Sequence, residues 1–309
     1  MKFRRRVRRP RRLPAGRRSK GRTRTMTRHR RVAKRRSGVS RKAILNLTSV
    51  KKADNMLSWT RNDPADLGVV GPTVLSGTYR YQTLVWMPTA RNLSNGPNQR
   101  GGLPDPSTRT SQTCFMRGVK ETIVLATSTN NPWLWRRICF KFRGNMIITA
   151  DVGEPDFVEV PLWHRDDSKG FTRGTTRLLP SLDTTATQVY AKLVNLLFKG
   201  VEGTDWSNFM IAKTDNIRLD IVYDKTTRIT SGNDVGTNRT FRRWHGMNKN
   251  LVYNDDEFRG GLTDTYLSVA DKRGMGDYYI VDLFDAGPNA AGEDELSFDP
   301  HATLYWHEK

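Results

Sequence analysis

A chain of 309 residues with 36% hydrophobic residues and a formal charge of +21 is long enough to bury a substantial core, and its two cysteines are too few for a disulfide scaffold or a paired-CxxC zinc site. The charge sits at one end: residues 1–42 hold 21 of the 52 Lys and Arg and no acid, leaving 31 basic residues against 31 acidic ones in the rest. This excludes a uniformly basic globule and describes a formally neutral body carrying a cationic tail.

Residues 1–42 are a low-complexity run of Arg, Lys, Gly, Ser, Thr and Pro with few apolar residues at either structural period. Nothing there offsets the entropy of ordering, so a disordered arm is expected in the absence of a partner. Residues 43–58, AILNLTSVKKADNMLS, carry enough Ile, Leu, Val and Met to begin packing, as a linker or an inner strand. A packed domain is expected over 59–309, and all eight tryptophans lie within it.

Within that domain, residues 78–87 (TYRYQTLVWM) alternate and place Tyr79, Tyr81, Thr83, Val85 and Met87 on one face of a strand. Residues 88–112 are long and polar, as in a surface excursion or contact loop. Strong strands follow at 113–127 and 133–143, the second setting Trp133, Trp135 and Cys139 near a period of two with Arg136, Arg137, Lys141 and Arg143 between them. Further strands are expected at 145–150, 157–163, 208–213, 217–223, 239–245, 265–270, 278–284 and 302–306. Residues 184–198 break the pattern: Val189, Leu193, Leu196 and Leu197 share a helical face, with Asp183 as N-cap and Gly200 as stop. Many short strands with one inserted helix predict an all-β fold, a jelly-roll two-sheet sandwich, with a barrel or an immunoglobulin-like sandwich as alternatives.

Signatures of catalysis are weak. Gly16–Thr23 resembles a phosphate-binding loop, but Arg22 stands where Lys is needed and no apolar strand precedes it. His29, His164, His245, His301 and His307 show neither HxH nor HExxH spacing, and no Gly-x-Ser-x-Gly elbow occurs. Asp166 with Asp167, and Asp255-Asp256-Glu257, could gather round a divalent ion, although solvated loops account for them better. Cys114 and Cys139 read as core thiols. The expectation is a protein that is not an enzyme and needs no metal or cofactor. The charged N-terminus lacks the apolar run of a signal peptide, and no window approaches the length of a membrane span. A soluble, non-secreted protein with no membrane partner is expected.

The positive signal is the arm. Its cations Arg4, Arg5, Arg6, Arg8, Arg9, Arg11, Arg12, Arg17, Arg18, Lys20, Arg22, Arg24, Arg28, Arg30, Arg31, Lys34, Arg35, Arg36, Arg41 and Lys42 can follow a phosphate backbone and release its counterions. Arginine adds bidentate phosphate contacts and stacking on bases. Nothing in the run reads base edges, so binding should be independent of sequence, with log K falling by about 0.7 per phosphate neutralised for each log unit of salt. Lys34-Arg35-Arg36 also suits a nuclear import signal. A cellular ribosomal or chromatin-type protein with a basic tail shares these features. Within the body, Arg136 and Arg137 are candidates for further nucleic-acid contact, with Trp133 and Trp135 as stacking platforms. The competing and favoured reading is a strand with core tryptophans and solvated arginines.

The arm, the run CFMRGVKETIVLATSTNNPWLWRRICFKFRG at 114–144 and the ending DYYIVDLFDAGPNAAGEDELSFDPHATLYWHEK at 277–309 together resemble the capsid proteins of genomoviruses, small viruses with circular single-stranded DNA best known from fungi. The resemblance implies a jelly-roll subunit related to geminivirus coat proteins, an icosahedral shell of many copies of the chain, a packaged single-stranded DNA genome, and entry into the host nucleus through import receptors. In a shell of about 60 subunits the arms would neutralise on the order of a thousand phosphates.

Overall fold

The computed structural model describes residues 40–61, 69–91, 93–96, 99–144, 149–151, 157–159, 174–178, 184–258, 261–262 and 265–309. The chain divides into two units, Met1–Ile44 and Leu45–Lys309. Of the first unit the described part is 40–44, where helix α1 (Arg41–Thr48) begins. The disorder expected of residues 1–39 lies outside the described residues, whereas Arg41 and Lys42, expected in the same disordered arm, open helix α1.

The second unit is built on β1 (Val50–Arg61), β2 (Thr73–Ser76), β3 (Tyr81–Trp86), β4 (Thr113–Thr127), β5 (Trp133–Phe142), β6 (Asp220–Ile229), β7 (Asn238–Val252), β8 (Asp277–Ala286) and β9 (Glu295–Glu308), with helix α2 (Thr184–Leu197) between β5 and β6. One sheet runs β2-β9-β4-β7 and the other β3-β8-β5-β6, with antiparallel pairing throughout these two runs. From β2 to β9 every connection crosses between the sheets except β5 to β6. This is the paired Greek-key connectivity of a jelly roll, as the sequence leads one to expect.

Strand β1 serves both sheets. Val50–Met56 pair with β9, while Leu57–Arg61 pair in parallel with the short strand Gly174–Leu178, which in turn meets β3 at Val85. The body therefore begins upstream of residue 59, and residues 43–58 divide into a helix and most of a strand. Strand β9 accommodates Pro300 because the missing N–H falls in a gap between its partners on one edge. Phe298 is the last residue to pair with β2 and Ala302 the first to pair with β1.

Alternation sorts side chains between interior and exterior. From β4, Cys114, Met116, Val119, Ile123 and Leu125 enter the sandwich, and from β9, Leu296, Phe298, Leu304 and Trp306 meet them. Strand β8 is buried at every position, because its two faces are both covered. Tyr278, Ile280 and Phe284 belong to the inter-sheet core, whereas Tyr279, Val281 and Leu283 cluster with Leu193, Val194, Leu196 and Leu197 of α2. Each such aliphatic side chain contributes about 1.5–3 kcal/mol by leaving water.

Several expected strands take another form. Residues 208–213 make turns, since Phe209, Met210 and Ala212 are buried beside α2 and the carbonyls of Phe209 and Ala212 accept from Arg136 instead of a neighbouring strand. At 265–270 only the isolated bridge between Ser268 and Tyr253 forms. The strand expected at 217–223 starts at Asp220 and continues to Ile229. Where 145–150 and 157–163 are described, the short strands Thr149–Asp151 and Phe157–Glu159 pair antiparallel, the first running one residue beyond the expected end. The 88–112 segment is anchored, not a free excursion: Arg91 pairs with Asp54, and Arg109 reaches Asp255 at 2.5 and 3.1 Å while lying 3.8 Å above the Tyr253 ring.

Candidate nucleic-acid interface

The arm cations from Arg4 to Arg36 lie outside the described residues, and Arg41 and Lys42 contribute described backbone only, at the start of α1. What the structure places is the cationic chemistry of the body.

Arg136 and Arg137 are corrected on both earlier readings: they are neither nucleic-acid contacts nor solvated. Arg137 is 2% exposed; its Nε and Nη2 donate to the two oxygens of Asp282 at 2.6 and 2.9 Å, and Nη1 donates to Glu121. Burial opposes its charge, but Asp282 and Glu121 outweigh burial and hold the guanidinium above its ordinary pKa. Arg136 donates to both oxygens of Asp224 at 2.9 and 2.7 Å and to the carbonyls of Phe209 and Ala212. Both guanidinium groups are buried and held by carboxylates or carbonyls, which leaves no exposed face for a phosphate. Trp133 and Trp135 are core residues at 0% and 2% exposure, Trp135 donating to Asp282 at 2.8 Å, so neither offers a face to a base.

The arrangement nearest to catalysis is sealed in the same interior. Cys139 Sγ lies 3.7 Å from His245 Nδ1, whose Nε2 is 3.5 Å from Glu121. The order thiol, imidazole, carboxylate imitates a nucleophilic triad, but all three are buried, and burial pushes the Cys139 thiol far up. A neutral thiol without access is a core residue. Cys114 is likewise buried and its thiol raised by burial and by Glu308. Asp255, expected in a solvated acidic loop, is instead the buried partner of Arg109. Asp166 and Asp167 lie outside the described residues. Among the described residues no group of three or more His, Cys, Asp and Glu is placed to hold a metal ion, and no helix is long and apolar enough to cross a membrane.

Cations without buried partners gather on the outer face of the β9 sheet. Lys51 of β1 stands opposite His307 of β9, and Lys120 of β4 stands between Thr303 of β9 and Trp244 of β7. Arg117 of β4 and Tyr305 of β9 complete the group. Arg117 donates to Asn248 at 2.5 Å, and Lys51 donates to the carbonyls of Asn46, in the last turn of α1, and Ser49, just beyond it, at 2.5 and 3.1 Å. Of the carboxylates on these strands, Asp54, Glu121 and Glu308 are buried, and the exposed Glu295 stands at the far end of β9 from Tyr305 and His307. Asp299, further along β9, is 3.4 Å from His301. A second basic group, Lys141, Arg143, Arg218 and Lys249, surrounds Asp220 at one end of β5 and β6, where Lys141 and Lys249 are close enough for Lys141 to depress the Lys249 pKa.

Neither group was legible in the sequence, since each draws one or two residues from strands far apart in the chain. An alternation rule applied to β4 and β7 together would have put Lys120 and Trp244 on outward positions, but not side by side. Comparison with protein families and with curated proteins finds no match to this chain.

Proposed function

We propose that the chain is a viral capsid protein that assembles with about 60 copies of itself into a small icosahedral shell and packages circular single-stranded DNA through its basic arm. In this reading the arm also serves as a nuclear localisation signal read by host import receptors, and the protein resides in the virion and, during infection, in the host nucleus. The function is structural, without catalysis, cofactor or membrane.

The observation that carries the reading is the separation of charge, with the whole formal excess of +21 in residues 1–42 and a neutral body of jelly-roll form. A neutral body can pack against many copies without accumulating repulsion, while the arms supply the positive charge that a confined polyanion demands. The resemblance of 114–144 and 277–309 to genomovirus capsid proteins supplies the viral identity. Electron microscopy of the purified chain mixed with circular single-stranded DNA tests the proposal. Closed shells of uniform diameter are expected; a protein that stays monomeric at every salt concentration contradicts it.

A further inference from the structure

We infer that the outer face of the β9 sheet is a second binding surface for single-stranded nucleic acid, with a base stacked on the Trp244 indole and phosphates held by Lys51, Arg117 and Lys120. The inference takes the identity of the polymer from the proposed function, but it does not depend on shell assembly.

Trp244 is 52% exposed, and it is the exposed one among the described tryptophan side chains. An indole left half in water on the outer face of the edge strand β7, directly beside the cation Lys120, marks a contact surface. It is also seated. Gly118 adopts a φ of +147°, and a Cβ there would lie 2.4 Å from the His245 carbonyl and 2.8 Å from the Trp244 ring. The glycine, at an irregularity in β4, therefore lets the ring approach the neighbouring backbone. Tyr305 flanks it with ring centroids 5.9 Å apart, tilted by 55°.

Around this platform lies an open groove of about 440 Å³ lined by Lys51, Arg117, Lys120, Trp244, Tyr305 and His307. In this block of the sheet the described outward side chains include no carboxylate. His307 is held below its ordinary pKa by desolvation and by the nearby Arg117 and Lys51, so its ring is neutral at pH 7 and the positive field belongs to Lys and Arg. Cations interleaved with an exposed aromatic match a strand that alternates phosphate and base. An acidic face on a second copy of the chain would answer the charges but leave the stacking platform unused.

Full-length protein is photo-cross-linked to an oligonucleotide containing 5-iodouracil, and the adducts are mapped by mass spectrometry. Adducts on peptides carrying Trp244 or Tyr305, beside those on the arm, are expected. Trp244→Ala should weaken oligothymidylate binding by about tenfold, and Trp244→Phe should restore most of it. Arg117→Ala with Lys120→Ala should lower the slope of log K against log salt by about 0.7 per charge removed. Adducts confined to the arm, with unchanged affinity for Trp244→Ala, overturn the inference and leave the arm reading intact. Absence of oligonucleotide binding anywhere overturns both. A Trp244→Ala chain that loses self-association but keeps its affinity for the oligonucleotide makes this face an interface between copies and also overturns it.

Discussion

The outer faces of the two sheets are built from strands of similar pleat, yet they end in opposite states. On the β8 sheet, Val85, Ile138, Phe140, Tyr279, Val281 and Leu283 point outward and are buried by α2 and the turns around Phe209 and Met210. On the β9 sheet the corresponding positions carry Lys51, Arg117, Lys120 and Trp244 and stay open. The cover comes from the connection between β5 and β6, the one connection that stays within a sheet. An apolar outer face demands such a cover, whereas a cationic one is stable in water and available to a polyanion.

The largest expected effect breaks the interior that joins the faces. Arg137→Ala strips Asp282 and Glu121 of their shared partner and should cost about 3–5 kcal/mol in denaturant unfolding; a loss below 1 kcal/mol would mean that the buried pair is not formed. Leu197→Ala, under the covered face, should cost about 2–5 kcal/mol, while oligonucleotide affinity of the folded fraction stays unchanged.

A smaller effect depends on pH. Burial raises the Asp277 carboxyl to about 7 despite hydrogen bonds from Ser268. Between the unfolded value near 4 and 7, the folded chain keeps a proton that the unfolded chain has lost, so this group's contribution falls as pH rises through that window. Asp277→Asn cannot ionise. Its stability relative to the parent should climb by about 3 kcal/mol from pH 4 to pH 7 and level off above about pH 8; parallel curves would contradict the raised carboxyl. The smallest effect belongs to the open face, where Lys120→Ala should shift stability by less than about 0.5 kcal/mol while weakening oligonucleotide binding.

The parts of the fold that local pattern dictates were legible. Strand β4 spans the residues expected of it, β5 ends one residue early, and α2 ends at Leu197 with Gly200 beyond it in a left-handed conformation at φ +87°. Elements that depend on distant partners were not. Most of β9 was hidden by Asp299 and Pro300, whose tolerance comes from the gap between β1 and β2. The fate of Arg136 and Arg137 depended on Asp224 and Asp282, which lie 88 and 145 residues away. Sequence shows that an arginine follows a tryptophan on a strand; it does not show which carboxylate arrives to meet it.

The measurement that bears most directly on the central claim is the nuclease-protected DNA content of particles formed by the full chain and by a chain lacking residues 1–42. The shortened chain is expected to fold still, and its protected DNA to fall to the small amount the outer face of the β9 sheet can hold. Particles without the arm that protect as much DNA as the full chain would contradict that claim.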